Sequence, residues 1–477
     1  MNWIAVPLLA LLFALFPLTD TDIWWHLACA REWVVTWSPS RAGMVNIHEF
    51  FQQVMYAVYC IGGAPLLVVF KAVMWGGVFA LFMRGRRIDV FRNPLPVALA
   101  AVILFVFRFQ FEMRPVLFSL LFLGVYWNAL PWLLPRLERR ADLKVYAVAF
   151  AVLALQWVWC RFQGLYILGP LFAALCVLPV VAERMKRAGR VRAADAAFPT
   201  LFVLLLFAMP FLHGDGVSIF LYPFGLLDRL LGISPSAAAF ASGIAENRSP
   251  FTILLAGENV LASALMVALA VFGAAYAVVK LVRSRENFVV LATLFVTSVM
   301  ALSAERNFAL FLPVFLSVFM PCFGQLPRFK KFCQLSSIVI LAFLLGFWGR
   351  SVSAYDSWVS YQRVPVSAAA WMKEHPHPGR LFNDDRAGGY LAFVNPADSI
   401  YIDGRFILKT AEFFERYMRY SEEPVLFLSD ADSLGIDRAV FPLRFYARWE
   451  SLLEGLREST KWAVAYVDGN FIVFARK

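Results

Sequence analysis

Charge is what this sequence has least of. Asp, Glu, Lys and Arg make up 16% of its 477 residues, where a soluble domain carries about 25%. The hydrophobic share is 61% and the mean hydropathy +0.66. That balance excludes an ordinary water-soluble globule and points to a polytopic membrane protein. Cysteine is scarce too: six residues, at 29, 60, 160, 176, 322 and 333, none beyond 350. No disulfide framework is expected in the C-terminal part, and no Cys spacing suits a metal. There is no G-x-G-x-x-G and no phosphate loop, so nothing points to a nucleotide cofactor. The net charge of +11 would suit nucleic acid. Much of it lies in short loops between apolar runs, so no nucleic-acid partner is expected.

Long apolar runs are abundant instead. Eleven read as membrane spans: 3–18, 64–83, 95–112, 115–134, 145–160, 166–182, 198–212, 259–281, 288–304, 308–324 and 334–350. Several are shorter than the ~20 residues that usually cross a bilayer. The 47 Phe and 15 Trp supply lipid-facing and interfacial anchors. Five loops are strongly basic: "RGRRIDVFR" (84–92), "RLERRADLK" (136–144), "ERMKRAGRVR" (183–192), "KLVRSRE" (280–286) and "RFKK" (328–331). They alternate with poorly basic loops, and positive charge marks the cytoplasmic side. The N-terminus is then cytoplasmic and residues 351–477 lie outside. Run 3–18 has the length of a signal peptide, and "LAC" (27–29) faintly matches a lipoprotein cleavage site. No Lys or Arg precedes it, and Asp20 and Asp22 stand before the supposed site, so a retained helix is expected.

With that topology, the polar residues that end the apolar runs fall on the outer face. Asp20, Asp22 and His26 follow the first run. Arg108, Glu112 and Arg114 surround the third turn, and Arg161 and Gln163 the fifth. His213 and Asp215 follow the seventh run. Glu305, Arg306 and Asn307 fill the turn between the ninth and tenth. Ionisable groups at membrane depth are costly, so they pair or line a cavity. Any one pair has a plainer reading: Arg108 and Glu112 are four apart and would pair along one helix. Five hairpins bringing acids and bases to one face are better explained by a shared aqueous cavity. In the first outer loop, 19–63, "IWWHLACAREWVVTW" (23–37) and "NIHEFFQQVMYAVYCIG" (46–62) read as amphipathic helices on the membrane surface; a re-entrant hairpin is the alternative. Residues 213–258 form a second long outer loop.

Residues 351–477 change character. "RLFND" (380–384), "GYLAFV" (389–394), "SIYID" (399–403) and "DRAVFPL" (437–443) read as strands. Residues 409–420 and 444–458 read as helices, and a hairpin around Gly469 closes a small α/β domain of ~120 residues with its own core. "DDRAGGY" (384–390) is either a ligand loop or a stretch whose glycines serve turn geometry.

"TDTDIWWHLACAREWV" (19–34), "HEF" (48–50), "RPVLFSLLFL" (114–123), "LYPFGLL" (221–227), "ERN" (305–307), "GRLFNDDRAGGYLAF" (379–393) and "YIDGR" (401–405) resemble a group of bacterial polytopic proteins related to the GT-C glycosyltransferases. The likeness runs nearly end to end. It implies a GT-C-like helical domain at 1–350 in the bacterial cytoplasmic membrane and an extracytoplasmic domain at 351–477. It implies transfer of a sugar from a polyprenyl-phosphate-linked donor to a glycan, lipid or protein acceptor outside the cytoplasm. Asp20 or Asp22 is then the general base, and the pair is also a candidate site for a divalent cation, Mg or Mn. Arg306, Arg114 and Arg161 are the candidates to meet the leaving phosphate. His26, His48, Glu49, Glu112, Gln163, Glu305 and Asn307 are expected to line the cavity. Relatives often carry Asn and His in the hairpin after the fifth span, where "WCRFQG" (159–164) places Arg161 and Gln163. That departure implies changed specificity or lost activity. A catalytically silent protein that binds lipid-linked glycan, and a lipid or glycan transporter, are the alternative readings.

Overall fold

Backbone amides in hydrocarbon must be paired within the segment itself, so apolar runs of this length become helices. The computed structural model describes all residues except 1–2, 42–43, 86–92, 138–140, 189–192, 232–239, 241–242, 285–286, 324–331 and 445–446. Each of the five basic loops falls partly or wholly outside the described residues, and with them much of the charge pattern that oriented the chain.

The helical part runs α1 (Ala5–Phe13), α2 (Asp22–Arg31), α3 (Glu49–Met83), α4 (Leu95–Val106), α5 (Pro115–Leu133), α6 (Leu143–Trp159), α7 (Leu168–Ala188), α8 (Ala193–Ala208), α9 (Gly216–Leu231), α10 (Pro250–Leu255), α11 (Val260–Arg283), α12 (Phe288–Ser303), α13 (Phe308–Phe323) and α14 (Phe332–Ser353). Among the described residues, five helices are long and apolar enough to cross a membrane. A sixth crossing is added if the bent pair around residue 213, with an angle of 108°, acts as one span. The protein is an integral multi-pass membrane protein. The other expected spans form shorter apolar helices; α1 has 9 residues and α4 has 12. Polar turns cut them short. At the end of α4, Arg108 folds back to donate to the Phe105 carbonyl at 2.6 Å and stacks over the Phe105 and Trp348 rings. Arg108 and Glu112 therefore do not share a helix, and no ion pair forms between them. Large apolar side chains such as Phe150, Val282 and Phe343 face outward, as lipid contact requires.

Helix α3 combines the second expected surface helix with the span that follows it. The backbone breaks at Gly62 and at Gly63, whose φ is +60°, a conformation that glycine adopts without penalty. Helix α2 departs from expectation. Every residue from Ile23 to Cys29 is buried, so it does not lie exposed on the surface; α3 and the tail pack over it.

The cover comes from the C-terminal part. After α15 (Val366–Glu374) come β1 (Arg380–Asn383), α16 (Asp385–Val394), α17 (Ala411–Arg419), α18 (Pro424–Leu434), β2 (Ile436–Pro442), α19 (Glu450–Glu458), β3 (Trp462–Val467) and β4 (Phe471–Arg476). The strands form one mixed sheet in the order β1-β2-β4-β3, with β1 parallel to β2 and the other pairs antiparallel. Alternation along the strands gives the sheet two buried faces. Phe382, Phe441 and Phe474 belong to a core of the tail's own with Tyr417 and Trp449. Leu381, Val440 and Val473 join the core of the helical bundle. Two expected strands are absent. "GYLAFV" lies in α16, because Asp384 caps that helix by accepting from Arg386 N at 3.0 Å. "SIYID" is irregular, held by Asn383, which donates to Ile402 O at 2.7 Å and accepts from Tyr401 N at 2.7 Å.

The glycines of "DDRAGGY" serve neither a turn nor a loop. A Cβ on Gly388 would stand 1.9 Å from Ile402 O, and one on Gly389 would stand 2.9 Å from Trp25 N. They let α16 lie directly on α2 and on the irregular segment, so the tail sits against the segment that follows α1.

Candidate active site beneath the tail

A cavity of about 1760 Å³ opens between the ends of the helices and the tail. Asp20, Asp22, His26, His48, Glu112, Arg114, Gln163, Glu305, Arg306 and Asn307 all line it. At its centre is Arg114, the residue before α5, extended at φ −120° because Pro115 follows. Its Nε donates to Asp20 Oδ2 at 2.8 Å and one terminal nitrogen to Asp20 Oδ1 at 3.2 Å. The terminal nitrogens also reach both oxygens of Glu246, at 2.5 and 2.6 Å. Two bidentate carboxylates thus occupy the guanidinium. Burial opposes ionisation of Glu246, yet Arg114 holds its carboxyl down at about 2.

Asp22 is different. It opens α2, its own N–H donates to Asp20 Oδ1 at 3.2 Å, and among the described residues its carboxylate has no ion-pair partner. Burial first, then the Asp20 charge, pushes its pKa up to about 7, with Arg114 pulling the other way. The carboxylate lies against Gly404 of "YIDGR": a Cβ there would stand 2.0 Å from Asp22 Oδ1. Only glycine leaves that space. The next residue, Arg405, is buried and grips Asp403 at 2.5 Å, donates to Val34 O at 2.9 Å, and packs against Trp25 and Trp33. The two most distinctive motifs of the sequence are therefore one assembly.

Arg306 sits in the turn before α13 and faces the same cavity. Among the described residues it makes no hydrogen bond or ion pair to the protein; it acts on Glu246 through space. Burial raises the pKa of neighbouring Glu305. Asn307 ties the turn down by donating to Met300 O at 3.1 Å. Gln163 braces the wall, accepting from Leu165 N at 2.6 Å. His26 and His48 meet edge to face at 5.3 Å. Burial lowers the pKa of both, His48 to about 4, so they are neutral polar walls. Thr19 donates to Glu112, whose pKa burial raises.

Two expected residues lie elsewhere. Arg161 and Glu49 line a neighbouring pocket of about 480 Å³ with Asp215. Arg161 pairs with Glu49 at 3.3 Å and Asp215 at 3.5 Å. The cause is Phe162, which turns inward to pack on Phe118 and Phe122 and leaves Arg161 pointing away. His213 is also outside the cavity, stacked on Trp157.

No protein-family model matches the sequence, and no curated protein matches it. Solved structures do match. The oligosaccharyltransferase of Archaeoglobus fulgidus in its apo form aligns with a TM-score of 0.54 at 12% identity, over 100% of this chain and 74% of that one. The two chains share a fold. The same oligosaccharyltransferase tethered to an acceptor peptide containing the NVT sequon gives 0.50 at 13% identity, with the same coverage. At such identity the likeness concerns architecture, and it extends through the tail.

Within this shared fold, sequence reasoning missed several residues. Lys71 is fully buried in α3, donates to Phe16 O at 3.0 Å and lies over the Phe16 ring at 3.4 Å. Its signal was a lone Lys in an apolar run, which marks a functional site by default. Glu246 lay unmarked in the second outer loop. Asp385, Arg386 and Arg448 form part of the cavity roof; Arg448 pairs with Asp385 at 3.0 Å, and Tyr417 donates to the same carboxylate at 2.8 Å.

The residues present do not fit the expected divalent cation. Both oxygens of Asp20 and of Glu246 are engaged by Arg114, and among the described residues no group of three His, Cys, Asp or Glu side chains is arranged to hold a metal. A hard cation needs six or more oxygen ligands at 2.0–2.6 Å.

Proposed function

We propose that the protein is a membrane glycosyltransferase that moves a sugar from a polyprenyl-phosphate-linked donor to an acceptor hydroxyl or amide, with inversion. The reading places eleven spans in a bacterial cytoplasmic membrane, with residues 1–350 as the membrane domain and 351–477 as an extracytoplasmic roof. One observation carries it: Asp22 and Arg306 face one cavity, and among the described residues the first has no ion-pair partner and the second no hydrogen bond to the protein.

In the reaction, Asp22 takes the acceptor proton as the acceptor atom forms its bond to the anomeric carbon. The bond from that carbon to the phosphate oxygen breaks, and the polyprenyl phosphate leaves with the electron pair. Arg306 meets the negative charge that develops there, and its planar fork matches the phosphate oxygens. Arg114 takes no part as a phosphate ligand while two carboxylates hold it; it fixes Asp20, and Asp20 orients Asp22. A pKa near 7 suits a base that must be free at neutral pH and still attract a proton. Membrane lipids solvate the polyprenyl tail, which enters between the outer helix ends.

The test uses the full-length protein in nanodiscs with radiolabelled polyprenyl-phosphate sugars, following release of polyprenyl phosphate. Turnover of at least one donor is expected. Arg306→Gln weakens donor binding by about 10–100-fold, the loss of a charge-assisted contact of ~1.5–3 kcal/mol, and because the charge grows in the transition state it lowers kcat as well as raising KM. Unchanged donor binding in that variant would remove Arg306 from the phosphate site.

A further inference from the structure

Asp20, Asp22 and Glu246 are three acids in one cavity wall, and such a cluster needs positive charge. Arg114 provides it from inside the chain. Three of its nitrogens are spent on four carboxylate oxygens at 2.5 to 3.2 Å, and Asp22 acts on it through space. The guanidinium is delivered between carboxylates from two distant loops, 94 and 132 residues away in sequence. It carries one charge where a divalent ion would carry two. Arg306 and Arg386 line the same cavity and act on Glu246 through space.

We propose that Arg114 is a built-in cation that replaces a divalent metal between Asp20 and Glu246, so that the centre works without metal. The inference deepens the glycosyltransferase reading and rests on it for the reaction alone. Its chemical logic is simple. An arginine never loses its charge in a protein, holds both carboxylates in fixed planes, and removes dependence on the supply of ion. It also leaves Asp22 as the acid of the cluster that Arg114 does not bind directly, placed to exchange a proton.

The experiment is Mn²⁺ binding by the purified full-length protein in detergent, read by electron paramagnetic resonance. Wild type is expected to take up no stoichiometric Mn²⁺ at about 1 mM. Arg114→Ala removes the internal cation and is expected to gain about one Mn²⁺ per chain, an oxygen site of the usual hard-cation kind. Asp20→Asn in that background should lose it again. Arg114→Gln is the second variant, should Arg114→Ala aggregate. The proposal is overturned if wild type binds one Mn²⁺ and Asp20→Asn releases it, or if a folded Arg114 variant gains none. Any donor turnover should also survive EDTA. Absence of all turnover would count against the glycosyltransferase reading and leave the Mn²⁺ result standing.

Discussion

Asp22→Asn should lower sugar transfer by about 10²–10⁴-fold, the usual contribution of a general base, while the protein remains inserted and monodisperse. The substitution keeps size and removes only the ability to take a proton. No ion pair is broken, because among the described residues the carboxylate makes none. The wild-type rate should also follow its protonation. Burial and the Asp20 charge raise the Asp22 pKa to about 7, so the acid form dominates below neutrality and the rate should rise with pH through that value. Asp20→Asn is a different experiment. It removes half of the Arg114 brace, so lost activity there comes with lost stability. Full activity in Asp22→Asn would reassign the base; a flat pH profile between 5 and 9 would count against it equally.

Arg405→Ala should undock the tail. Arg405 and Asp403 are both nearly fully buried, with 4% and 2% of their side chains exposed. Removing one partner of such a pair leaves an uncompensated charge and costs about 3–5 kcal/mol. The truncation also empties the space between Trp25 and Trp33, and it frees the Val34 carbonyl. The expected result is a lower midpoint of thermal unfolding and early protease cleavage between residues 351 and 477. Arg405→Lys should not rescue it, since an ammonium lacks the planar fork that holds both Asp403 oxygens. A variant as protease-resistant as wild type would mean that the tail is held by its apolar face alone. The side-chain loss should lower activity as well, because Gly404 is the wall against which Asp22 rests.

The gathering of these residues around one cavity was legible in the sequence because hydrophobicity and charge carry it. Acids and bases at span ends are expensive unless they share water, and "TDTD", "FEMR" and "ERN" announce themselves against apolar flanks. Burial of α2 was not legible. "IWWHLACAREW" has the tryptophans of an interfacial helix, and only the α16 glycines Gly388 and Gly389, far downstream, reveal what covers it. The direction of Arg161 depends on whether it or Phe162 turns inward, which spacing alone leaves open. The strand assignment at 389–394 failed because "GYLAFV" has strand composition, while the cap that makes it a helix is the preceding Asp384. Glu246 had no local signal at all: its role comes from meeting Arg114 across 132 residues.

The most direct measurement is an experimental density map of the full-length protein with a polyprenyl-phosphate sugar bound. The account predicts the phosphate on Arg306, the anomeric carbon turned towards Asp22, and Arg114 still bridging Asp20 and Glu246. A phosphate seated instead in the neighbouring pocket at Arg161, with Asp22 remote from the sugar, would contradict it.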